Sequence, residues 1–189
     1  MLIQNNEIKE QFDFFMELRN GKKIITTNPI YLKPKRNHLF SVYGSSEVSH
    51  ESIEDEVSLL IEKSKRNKRY GIKLRCKSLS QEPFIRFDSD GPAHRNDDPG
   101  KSIFENKIDT PHFNTYNELG QAVAYKTPQL LDPSESVAIV NDVNFGLAHF
   151  CHETNMSLHD NNYPEAIEMS PEFAFVDMPE INFKDVKFE

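Results

Sequence analysis

The chain has 189 residues, room for one ordinary domain with its own core. Hydrophobic residues make up 37 % and charged residues 28 %, with a net charge of −8, while 14 Phe and 6 Tyr argue against wholesale disorder. No run approaches the roughly 18 apolar residues of a membrane helix, the start lacks an apolar leader segment, and two cysteines cannot build a disulfide framework. A soluble cytoplasmic protein, with no membrane partner, is the expectation.

Reading along the chain, Ile8, Phe12, Phe15 and Leu18 recur at helical spacing and predict a helix over 5–19, stopped by Asn20-Gly21. Segments 22–34 and 38–44 read as strands interrupted by Asn28-Pro29 and Pro34. A second helix is expected over 52–67, with Ser49 or Ser52 as cap, acids in its first turn and Val57, Leu60 and Ile61 as its apolar stripe. Alternation over 68–78 and 83–89 predicts paired strands, with Cys76 buried and inert beside Ile72 and Leu74. The turn at 88–92 leads into an irregular loop to Asp109, then a strand pair at 112–118 and 121–126 bent at Gly120. A long helix follows from its cap Asp132 and Pro133 to about Asn155. The implied class is α+β: a mainly antiparallel sheet with two or three helices packed on it. Residues 1–156 form that domain, and 157–189 an acidic C-terminal extension with strand-like stretches at 172–178 and 181–188.

The charge is uneven. Residues 1–80 carry a net +5 and 81–189 a net −13. The stretch 63–77 holds eight basic residues and no acid, whereas 151–189 holds nine acids against two lysines. Mutual screening of the two within one fold is the plain alternative to a role in binding. With a pI near 5.4, a general nucleic-acid binder is not expected, and a basic protein partner is. The tail acids Glu165, Glu168, Glu172, Asp177 and Glu180 are the candidate partner contacts, and Phe173, Phe175 and Phe183 the apolar anchors if binding resists salt.

Three segments concentrate chemistry: Gly91–Asn96 with His94, Pro111–Tyr116 with His112, and His149–His152 around Cys151. A strand pair flanking the loop would bring His94 to His112. Imidazole and thiolate together favour zinc over magnesium or calcium, so His94, His112, Cys151 and His152 form a candidate structural zinc set. Ordinary hydrogen-bonded loop histidines are the bland alternative. The third is catalysis: two facing histidines as general acid and base on an RNA phosphodiester, with Arg95 as the phosphate fork and the basic stretch following the strand.

The run RFDSDGPAHRNDDPG, followed by TPHFNTY and QAVAYKTP, resembles an uncharacterised family of small bacterial and phage proteins over about residues 65–156. Arg86, Asp88, Gly91, Pro92, His94, Arg95 and Asn96 fit its first motif; Pro111, His112 and Tyr116 its second; Ala124, Tyr125 and Cys151 the rest. The chain departs from it at Asn114, where the family has a second histidine, at Asp97 with the proline displaced to Pro99, and at Val123 in place of tryptophan. Size, acidity and phage association also resemble anti-CRISPR proteins. That resemblance implies a non-enzymatic, zinc-containing inhibitor in the bacterial cytoplasm, acting on the nuclease of type II CRISPR systems by blocking its DNA loading. A toxin-type histidine-dependent ribonuclease and an antitoxin or regulatory binding module are the other two functions left open.

Overall fold

A computed structural model describes residues 4–35, 38–67 and 69–169. The chain opens with two short helices, α1 (Asn6–Glu10) and α2 (Phe12–Asn20), and the expected single helix breaks at Gln11. Asn5 caps α1 by accepting from the Ile8 amide, and α2 buries Phe15 and Leu18. Strands β1 (Lys23–Ile25), β2 (Ile30–Lys35) and the 13-residue β3 (His38–His50) follow. β3 pairs with β2 at its start and with β1 at its end, so the sheet curls along it.

The helix expected over 52–67 is instead strand β4 (Val57–Ser64). Val57, Leu59 and Ile61 are buried in strict alternation, and β4 is bonded on one side to β3 and on the other to β5 (Tyr70–Cys76). An apolar run of Val57, Leu59, Leu60 and Ile61 satisfies both periods, and two-sided pairing outweighs the local helix signals. β6 (Ile85–Asp88), β9 (His112–Tyr116) and β10 (Ala122–Tyr125) extend the sheet antiparallel to the edge. Between β6 and β9 a small two-stranded ribbon, β7 (His94–Arg95) with β8 (Lys107–Ile108), stands on its own.

A short helix α3 (Pro128–Leu131) comes first, and the long helix expected from Asp132 to about Asn155 is two: α4 (Pro133–Asn141) and α5 (Val143–Glu153). Asp132 caps α4 as expected, but Asp142 restarts the chain by capping α5, since both aspartates have extended backbone. The described part of the extension enters the sheet. β11 (Met156–Ser157) runs parallel to β1, and β12 (Ala166–Glu168) parallel to β2. The result is α+β, a large curled and mostly antiparallel sheet with five helices among the described residues, three of them of seven or more residues. Among the described residues no helix is long and apolar enough to cross a membrane.

One sheet face is the core. Ile61, Ile72, Phe87 and Phe113 lie directly opposite one another across β4, β5, β6 and β9, all fully buried. Phe113 is the centre, with ring centroids 5.1 Å from Phe87, 5.4 Å from Tyr125, 5.5 Å from His149 and 5.9 Å from Phe150. α5 thus closes the core through Phe150. Strand alternation sends every second residue to the opposite face, and there the composition changes.

Candidate functional site

On that opposite face, the residues directly across from one another in β4, β5, β6 and β9 are Glu62, Gly71, Asp88 and His112. The next row along reads Leu60, Lys73, Arg86 and Asn114. Gly71 leaves the middle of the floor bare. The segment from Asp90 to Thr110, carrying the β7–β8 ribbon, rises as a wall at the β9 end, and Lys35 and Ser41 close the other end. The open cleft between them has a volume of about 480 Å³.

Its electrostatics run against those of the chain. Lys35, Arg69, Lys73 and Arg86 line it together with three carboxylates, Glu62, Asp88 and Asp90, before any histidine is protonated. The lining residue Lys63 is paired with Glu168 instead. Glu62 is shared between two lysines, 2.6 Å from Lys35 Nζ and 2.6 Å from Lys73 Nζ, and these bonds hold its carboxyl down to about 2. Asp88 Oδ2 accepts from Arg86 Nε at 2.8 Å and from Asn114 Nδ2 at 2.8 Å. Asn114 therefore acts here as a donor to that carboxylate.

The structure brings His94 and His112 together, their rings edge to face with centroids 6.4 Å apart. His94 Nε2 lies 3.2 Å from the Ala122 carbonyl, which can only accept, so that nitrogen carries a proton and Nδ1 is left for the cleft. His112 is 2 % exposed, with Nε2 3.8 Å from Asp88 Oδ2 and a buried Nδ1 that has no hydrogen-bond partner. Burial pushes its pKa below the usual histidine range, while the Asp88 charge and the Asp109 backbone pull the other way.

The remaining candidates fall elsewhere. Cys151 is fully buried in α5, and burial raises its thiol to about 12, so it stays protonated. His152 is exposed, with Nδ1 3.4 Å from the Tyr163 hydroxyl. Among the described residues no three His, Cys, Asp or Glu side chains form a group that could hold a metal ion. Arg95 is exposed on the ribbon, and Tyr116 packs edge-on to Phe15 at 6.5 Å, so the guanidinium groups that line the cleft are those of Arg69 and Arg86. His149 meets Thr127 Oγ1 at 3.0 Å within the core. Asn96 is structural, since its side-chain amide donates to the Ala124 carbonyl at 2.8 Å and accepts from the Ala124 amide at 2.7 Å, clamping the ribbon to the edge strand. Glu165 is exposed and Glu168 binds Lys63, while Glu172, Asp177, Glu180, Phe173, Phe175, Phe183 and the strand-like stretches 172–178 and 181–188 lie outside the described residues.

Sequence reasoning misses Lys35 and Glu62 as cleft residues, and reaches Lys73 only as one member of the basic stretch 63–77. Their signal is the polar half of the strand alternation, which by itself reads as solvent-facing or, for Glu62, as part of a helix. No protein-family model matches this chain, and no curated protein or solved structure matches it either.

Proposed function

We propose that this protein binds RNA and cleaves its phosphodiester bond in the cleft, with His94 and His112 as the acid–base pair. The observation that carries the reading is the pairing of two imidazoles at 6.4 Å beside Arg86 and Lys73, in a cation-lined cleft of an acidic chain. His112, held neutral by burial, suits the base that takes the proton of the ribose 2′-hydroxyl. His94, whose Nδ1 is the nitrogen not held by the Ala122 carbonyl, suits the acid that delivers a proton to the departing 5′-oxygen. The 2′-oxygen forms a bond to phosphorus as the bond to the 5′-oxygen breaks, leaving a 2′,3′-cyclic phosphate and a 5′-hydroxyl. Arg86 and Lys73 neutralise the charge that builds on the phosphoryl oxygens.

The test is incubation of the purified protein with single-stranded RNA and identification of the new ends. Cyclic phosphate and 5′-hydroxyl ends are expected, with His94→Ala slower by roughly 100-fold or more and still folded. A wild-type protein that leaves RNA intact, or a His94→Ala variant as active as wild type, would overturn the reading. The acidic inhibitor of a basic nucleic-acid-binding protein is also a proposal, resting on exposed Glu165 and on tail acids outside the described residues. Structural zinc would need a third ligand beside His94 and His112, and elemental analysis of the purified protein decides it.

A further inference from the structure

Resting on the RNA reading, we infer that the open face of the sheet beyond the cleft is a track for single-stranded RNA, with Tyr43 and Tyr31 as stacking platforms for its bases. The cleft does not end at Glu62. Directly opposite Glu62 across the β3–β4 pair stands Tyr43, and directly opposite Tyr43 across the β2–β3 pair stands Lys33. The polar row that begins at His112 therefore continues through Asp88, Gly71 and Glu62 to an aromatic ring and then a lysine. Tyr31 lies two residues back along β2, diagonal to Tyr43 and at the spacing from which aromatic side chains on neighbouring strands flank one another.

Both rings are open to solvent, Tyr43 by 43 % and Tyr31 by 50 %, and among the described residues neither is paired with another ring. Large aromatics half out of a sheet face, with Lys33, Lys35 and Lys73 on the same face, match what an unpaired strand needs: a flat π-surface for each base and cations for the backbone. Duplex RNA buries its base faces and cannot use such rings. Four strand spacings of about 4.8 Å separate Tyr43 from His112, so a strand held at both would span roughly 19 Å of curled sheet. Along the strands the track is bounded toward the C-terminal end of β3, where Glu47, Glu54, Asp55 and Glu56 line a second, acidic depression that repels phosphate.

The probe is a fluorescein-labelled single-stranded 2′-O-methyl oligoribonucleotide, which lacks the attacking hydroxyl and survives the measurement. Fluorescence anisotropy should show salt-sensitive binding, weakened about tenfold by Tyr43→Ala and by Tyr31→Ala and within about twofold of wild type for Tyr43→Phe, which keeps the ring. Unchanged affinity in the double alanine variant, equal affinity for the same sequence as a duplex, or an equal loss of inorganic polyphosphate binding in the alanine variants would each overturn the track. The two readings fail separately. Tyrosine-dependent binding without cleavage of unmethylated RNA leaves the track and removes the cleavage reading. Cleavage of a dinucleoside monophosphate with no tyrosine effect on oligomer affinity does the reverse.

Discussion

Replacing Glu62 by glutamine tests the electrostatic design of the cleft, because one carboxylate there occupies two lysines. Its Oε1 sits 2.6 Å from Lys35 Nζ and its Oε2 2.6 Å from Lys73 Nζ. Glu62→Gln keeps the shape, removes one negative charge and frees both ammonium groups for phosphate. For a phosphate at about 7 Å in an effective dielectric of about 40–80, the repulsion removed amounts to roughly 0.6–1.2 kcal/mol. Affinity for a non-cleavable strand should therefore rise about three- to eightfold at low salt, with the gain shrinking as salt is added. Stability moves the opposite way. The carboxylate is 39 % exposed and solvent-screened, so the loss should be only about 1 kcal/mol despite the depressed pKa. Its contribution is present above the ordinary carboxylate range, near pH 4.5, and is lost as pH falls toward about 2; the variant should lack that acid limb. Anisotropy titrations at two salt concentrations and urea melts from pH 2 to 7 read both effects. Equal or weaker RNA affinity in a folded Glu62→Gln variant would refute the cleft as the phosphate site.

Two further outcomes follow from the packing. Gly146 in α5 faces Tyr70, whose hydroxyl donates to the Ile139 carbonyl, and a Cβ at 146 would fall on that hydroxyl. Gly146→Ala should thus lose about 1–3 kcal/mol in urea melts although alanine is the better helix former, and a stabilised variant would contradict the helix–sheet contact. Lys23 is fully buried with Nζ donating to the carbonyls of Arg19, Gly21 and Thr154 at 2.7–3.0 Å, and burial lowers it to about 8 against the opposing charge of Glu51. The unfolded chain then holds a proton that the folded one lacks between about pH 8 and 10.5, so stability should climb with pH there, by up to about 1.4 kcal/mol per pH unit. Lys23→Met should flatten that climb, and an identical slope in both proteins would rule out Lys23 as its source.

Local chemistry in the sequence was enough for the pieces that depend on neighbours in the chain. The strands 70–76, 85–88, 112–116 and 122–125 follow from alternation, and the cap Asp132 from a side chain that satisfies the first free amides of a helix. The meeting of His94 with His112 was legible too, because one loop joins them. Cys76 is buried as its alternation required. Tertiary structure decided everything that depends on partners distant in sequence. Segment 57–64 is a strand because β3 and β5 bond it from both sides, and neither neighbour can be read from its own ambiguous period. The cleft exists because register aligns Glu62, Gly71, Asp88 and His112 across four strands, on the face opposite the one where Phe150 of α5 packs against Phe113. Alternation says which residues share a face; which face is sealed, and which is left open to a ligand, is set by where the helices find apolar area to bury.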